Sequence, residues 1–140
     1  MPKKILCPKN LDFQPRPTYP YSPGAKGGGL VFTAGQVAWD ETGEVIGIGD
    51  VAAQTRQTLK NVVSVLAEGG ATVDDVLKCT VYLADMRDFQ TMNEEFAKVF
   101  PTDPPARTTV EARLAEPTML VEIEAIAYVG SSLTASQDES

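Results

Sequence analysis

The sequence predicts an α+β fold: a single mixed β-sheet with two helices laid over one of its faces. Three observations carry that reading. Two segments repeat apolar residues at helical spacing. Several short β-branched runs alternate in polarity. The order of elements reads ββ(β)αβαββ, which lets both helices cover one sheet. With 140 residues, 43% hydrophobic and 22% charged, the chain is long enough to bury a core without covalent staples.

Ile5-Leu6-Cys7 is a short opening strand. Pro8 to Gly29 carries most of the punctuation, with Pro15, Pro17, Pro20 and Pro23 before Gly27-Gly28-Gly29, and is expected to be one long loop of functional interest. Leu30 to Ala34 is a β-branched and aromatic run closed by Gly35, and a weaker strand is expected around Glu44-Val45-Ile46. Asp50 caps the first helix, whose Thr55, Leu59, Val62, Val63 and Leu66 recur at spacings of three and four until Gly69-Gly70 stops it. After a turn at Thr72–Asp75, Leu77, Cys79, Val81 and Leu83 alternate with Lys78, Thr80 and Tyr82 as a half-buried strand. The second helix stacks Phe89, Met92, Phe96 and Val99 on one stripe, capped by Asp85 or Asp88 and ended by Pro101. Two strands follow, Arg107 to Arg113 and Leu120 to Tyr128, joined through Pro117. The domain is expected over 1–129, with a Ser-rich, disordered tail over 130–140.

Composition excludes several function classes. There is no histidine, which removes His-based triads, His-ligated metals and imidazole bases. Two cysteines in unrelated contexts do not make a disulfide scaffold and fit a reducing, cytoplasmic compartment. A net charge of −7 weighs against a nucleic-acid partner. The apolar stretch after Lys3-Lys4 is too short for a signal sequence, and Leu30 to Trp39 is about half a membrane span.

On the last two strands, Thr108, Val110, Ala112 and Leu114 share one side with Val121, Ile123, Ala125 and Ala127, and are expected under the helices. Arg107, Thr109, Glu111 and Arg113 are then expected on the open side with Glu122 and Glu124, beside Leu120, Ile126 and Tyr128. Mixed ionic and apolar residues on one sheet face suit a wet subunit interface, or simply a solvated face. If the two strands pair as a hairpin about Glu116-Pro117, Arg107 and Glu122 share that face roughly 13 Å apart.

Pro105-Ala106-Arg107-Thr108-Thr109-Val110-Glu111, followed by Leu120-Val121-Glu122-Ile123-Glu124-Ala125-Ile126-Ala127, resembles the C-terminal signature of the reactive intermediate deaminase (Rid, or YjgF-like) family. Pro20-Tyr21, Phe32-Thr33-Ala34-Gly35-Gln36, Asp50 to Gln57 and Asp88-Phe89 through Asn93 fit the same pattern, so the resemblance runs from Pro2 to Val129. It implies a chorismate-mutase-like fold assembled as a homotrimer with clefts between subunits. It also implies hydrolysis of enamines and imines of 2-amino acids to 2-oxo acids and ammonia, without metal or organic cofactor. By resemblance, Arg107 binds the substrate carboxylate and Glu122 holds the attacking water. Tyr21, Ala34, Gly35, Asn93 and Thr109 are the substrate-binding positions, Ala34 standing where many deaminases place a serine and Thr109 where a cysteine is frequent.

The chemistry suits those residue types. A guanidinium clamps a carboxylate by two parallel charge-assisted hydrogen bonds and so orients the electrophilic carbon. A carboxylate within reach takes a proton from water and returns it to the departing amine. By themselves, Arg107 is equally explained by an ion pair with Glu111 or Glu124, Glu122 by a solvated strand position, and Cys79 by the core. Two other functions remain open from sequence: a catalytically silent trimer that holds a small 2-oxo carboxylate at Arg107, and an endoribonuclease, which the acidic chain disfavours.

Overall fold

The computed structural model describes residues 2–13 and 20–130. It contains β1 (Lys4–Leu6), β2 (Gly24–Gly27), β3 (Leu30–Thr33), α1 (Val51–Glu68), β4 (Val76–Leu83), α2 (Phe89–Val99), β5 (Ala106–Glu111) and β6 (Val121–Tyr128). The strands form one six-stranded sheet in the order β1-β2-β3-β6-β4-β5. Every pairing is antiparallel except β4 with β5, so the sheet is mixed. Both helices lie on one face, as the element order requires.

Local chemistry explains where α1 begins and ends. The Asp50 carboxylate accepts from the Ala53 N–H at 3.0 Å, satisfying a first-turn donor. The amide of Gly69 then bonds back to the Val65 and Leu66 carbonyls, and Gly70 turns the chain away at φ +81°. From this helix Leu59, Val62, Val65 and Leu66 are fully buried against Val121, Ile123, Ala125 and Ala127 of β6. Met92 and Phe96 of α2 close the other end of the same core.

Three local expectations need correction. Pro8 to Gly29 is not one loop: Gly24–Gly27 forms β2, and Gly28, at φ +58°, helps make the tight turn into β3. Around Glu44–Ile46 there is no strand, only a single bridge between Val45 and Trp39. Leu77 is 58% exposed, because a bulge between Val76 and Lys78 puts Val76 into the core in its place. The expected tail over 130–140 lies, Gly130 apart, outside the described residues.

The larger correction concerns β5. It does not pair with β6 as a hairpin. Residues 112–120 carry the chain past β4, which lies between the two strands and pairs with both. Parallel register sets Arg107 beside Cys79, whose side chain is fully buried, and Thr108 beside Thr80. Arg107 therefore points to the helix side, whereas Thr108 takes a hydrogen bond from Lys78 Nζ at 2.7 Å and lies with exposed Val110 on the open side. The assignment of β5 from its polarity pattern was inverted. An edge strand is only partly covered on either face, so its alternation does not report burial. No helix among the described residues is long and apolar enough to cross a membrane.

Polar side chains on α1 pin the loops that frame the sheet's central strand. Asn61, 1% exposed, donates to the carbonyls of Val37 and Trp39, both at 2.9 Å. Gln54 donates to Thr118 O and accepts from Leu120 N, each at 2.8 Å, just before β6 begins. Asn61→Ala takes the side-chain donor from the buried Val37 carbonyl, at about 1–3 kcal/mol when left unsatisfied, while the Trp39 carbonyl keeps Gln57 at 3.1 Å. Denaturant unfolding at matched protein concentration should show that loss, against about 1 kcal/mol for Asp50→Ala.

Candidate active site

The residues singled out in the sequence gather into two clusters. Glu122 is on β6, in the middle of the sheet, opposite Tyr82. Its neighbours in register on either side, Val121 and Ile123, are buried under the helices, so the Glu122 side chain projects from the open face. Here β3 leaves its ladder. Phe32 pairs with Ile126, then the Thr33 hydroxyl takes the Ala125 N–H at 3.0 Å, and the chain rejoins β6 at Gln36. Gln36 and Ile123 exchange backbone hydrogen bonds of 2.9 and 3.0 Å. The segment between is drawn tight over Glu122: a Cβ at Gly35 would collide with the Glu122 carboxylate.

Tyr21, Ala34, Gly35 and Glu122 line one cavity of about 560 Å³. Burial pushes the Glu122 carboxyl above the ordinary carboxylate range, with the nearby Glu124 adding to the effect. Glu124 itself accepts from the Tyr82 hydroxyl at 3.1 Å. A carboxylate made more basic by its surroundings is a better proton acceptor from water near neutral pH.

Arg107 belongs to a second cluster, on the other side of the sheet. Its guanidinium lies 4.8 Å from the Phe96 ring centroid and 5.7 Å from that of Phe89, both on α2. Nη2 donates to Asn93 Oδ1 at 2.5 Å, and Nη1 approaches Met92 Sδ at 3.8 Å. Neither candidate acid partner is used: Glu111 accepts from the Met86 N–H, and Glu124 from Tyr82. Among the described residues no carboxylate forms an ion pair with Arg107. The adjacent Cys79 thiol does not compensate, since burial pushes it up to about 12 and keeps it neutral. Burial also draws the Arg107 pKa down, the mark of a partly desolvated cation with no anion beside it among the described residues.

Asn93, Phe96, Pro104, Pro105 and Arg107 line an open cleft of about 410 Å³. Thr109 sits two residues along β5, opposite Val81, outside the lining of both cavities. Sequence reasoning missed Phe13, Val37, Trp39 and Met119, which also line the cavity at Glu122. The available signal was the chain's single tryptophan, just before the polar stretch Asp40 to Glu44. Among the described residues no three His, Cys, Asp or Glu side chains group closely enough to hold a metal.

Residues 12–129 match the family model described as endoribonuclease L-PSP. A Rid-family protein from Yersinia pestis superposes with a TM-score of 0.83 at 34% identity, over 91% of this chain and all of the other. This chain belongs to the Rid family. Within that family it is 47% identical over 127 residues to a RutC family protein of Pyrococcus horikoshii, covering 90% of this chain and 98% of the relative. It is 36% identical over 129 residues to the 3-aminoacrylate deaminase RutC of Acinetobacter baylyi, covering 92% and 100%. Escherichia coli TdcF, solved with bound serine, matches with a TM-score of 0.80 at 33% identity, over 91% of this chain and 99% of that one.

The contact between Gly35 and Glu122 is open to a double-mutant cycle. Gly35→Ala should cost about 1–3 kcal/mol of stability through overpacking, and less than half of that in a Glu122→Ala background. Equal costs in both backgrounds would show that the Cβ meets something other than the carboxylate.

Proposed function

We propose that this chain is a hydrolytic deaminase that converts imines and enamines of 2-amino acids to 2-oxo acids and ammonia. The observation that carries the reading is a half-buried guanidinium, held by Asn93 and two phenylalanine rings, with no carboxylate paired to it among the described residues. Such a group is prepared for a carboxylate supplied from outside. Family membership and a relative named as a 3-aminoacrylate deaminase support the same chemistry, and so does a relative holding an amino acid.

In the proposed reaction Arg107 fixes the substrate carboxylate and Glu122 orients a water on the imine carbon. The water oxygen bonds to that carbon while Glu122 accepts its proton and the C=N electron pair moves to nitrogen, which is protonated. Glu122 then returns that proton to the carbinolamine nitrogen, and collapse forms the C=O bond and expels ammonia as the hydroxyl proton passes to the freed Glu122 carboxylate and on to solvent. No oxidant or external group is consumed, and a protonated imine is already electrophilic.

The reaction so assigned calls for more than one subunit. Arg107 is beside Cys79, Cys79 is beside Ala125, and Glu122 is three residues from Ala125 along β6. Two strand spacings and three residue rises separate the two Cα atoms by about 14 Å, and the side chains leave opposite faces. No three-carbon acid reaches both within one chain. We therefore propose a homotrimer in which Arg107 and Asn93 of one protomer meet Glu122, Tyr21 and Gly35 of the next. The open sheet face, with Phe32 44% and Tyr128 47% exposed, is the surface such an assembly would cover.

Imino-acid decay followed with and without protein, with spontaneous hydrolysis subtracted, tests the activity. Arg107→Ala should lower kcat/KM by about 30-fold to several thousand-fold, the cost of truncating a desolvated charge contact of roughly 2–5 kcal/mol. Arg107→Lys should recover little, since an ammonium lacks the planar two-point clamp. A loss below threefold in a folded Arg107→Ala protein would rule out the clamp.

A further inference from the structure

We infer that Asp103 is a positioning residue whose strained backbone, set in a proline-stiffened connector, holds the Arg107 guanidinium ready for its carboxylate. This deepens the deaminase reading and rests on it for what Arg107 binds.

Arg107 is fixed at two points. Its backbone pairs with Cys79 on β4, while its guanidinium lies 4.8 Å from the Phe96 ring centroid on α2. The spacing between those points depends on the chain that joins α2 to β5. That chain is Pro101-Thr102-Asp103-Pro104-Pro105. Both of its ends are anchored. Phe100, 5% exposed, donates its amide to the Phe96 carbonyl at 3.1 Å and sets its ring centroid 4.7 Å from that of Phe96. Ala106 pairs with Lys78 of β4.

Between the anchors there is little freedom. Proline rings fix φ at Pro101, Pro104 and Pro105, which leaves the turn to Thr102 and Asp103. Asp103 takes φ +48°, and it is the one non-glycine with positive φ among the described residues. That region is costly for an L-residue, and a following proline ordinarily drives its predecessor to extended backbone. Asp103 is exposed, and its carboxylate accepts no hydrogen bond among the described residues. No local contact among them offsets the strain, so the two anchors hold it in place. Pro104 and Pro105 leave no free φ on the Arg107 side. A rotation at Asp103 is therefore passed on to Ala106 and Arg107.

The test reads the guanidinium and the binding separately. In a nitrogen–proton correlation spectrum, the Arg107 Nε–H signal, assigned by its loss in Arg107→Lys, should be displaced by ring currents from Phe96. Asp103→Asn and Asp103→Gly, which tolerate positive φ, should keep that signal and the wild-type Kd for 2-oxobutanoate. Asp103→Val should return the signal to the range of the other arginines. It should also raise Kd by about tenfold, because a β-branched residue seldom reaches the left-handed region and the binding-competent fraction falls. Asp103→Ala should move both readouts the same way if the valine variant does not fold. An unmoved signal in a folded valine or alanine variant overturns the inference. So does a lost signal in Asp103→Asn, which would make the carboxylate, and not the backbone, the acting group. A signal that moves while Kd stays constant keeps the positioning and removes the carboxylate clamp beneath it.

Discussion

A β-sheet has two faces, and a side chain cannot pass from one to the other. That constraint governs the molecule. Parallel pairing to β4 holds Arg107 on the helix side at the sheet's edge, while antiparallel pairing holds Glu122 on the open side near its centre. The two charged groups that suit the proposed chemistry are thus kept apart by the backbone hydrogen bonds that make the fold. Within one chain they stay isolated, and each remains at a surface where a neighbouring chain can supply the other. In the proposed trimer, the fold and the need for assembly have one cause.

Each half of the site is held against its own solvation preference. Arg107 lies against Phe89 and Phe96 with an amide oxygen as its hydrogen-bond partner. Glu122 is confined by Gly35 and made more basic by burial. Both arrangements weaken an isolated protomer, and the proposed chemistry would offset that cost when a carboxylate and a water arrive. Polar side chains on α1 support this, since Asn61, Gln57 and Gln54 grip the loops that wall and enter the cavity.

Much of the fold was legible because its signals are local. Asp50, the three- and four-residue spacing of α1 and Gly69-Gly70 delimit a helix without reference to anything distant, and the β6 alternation matches its burial residue by residue. The order of strands was not legible. Whether residues 112–120 form a hairpin or step across a strand depends on where α2 returns the chain, which no local pattern records. The same ignorance inverted the faces of β5. Short β2, with three small residues around one lysine, carries too little β propensity to stand out from a glycine-rich loop. At the site, the polar residues were visible because their motifs are contiguous in the chain, whereas Phe13, Trp39 and Met119 come from three separate segments joined only by packing.

The most direct test of the account is complementation between chains. Arg107→Ala and Glu122→Ala proteins, each inactive by itself, are unfolded together in equal amounts and allowed to reassemble, with mixed oligomers verified by native mass spectrometry. If Arg107 of one subunit acts with Glu122 of its neighbour, a quarter of the interfaces regain both native groups, and about a quarter of wild-type activity returns. Mixed oligomers with no activity would place both groups in a single chain's site and contradict the account.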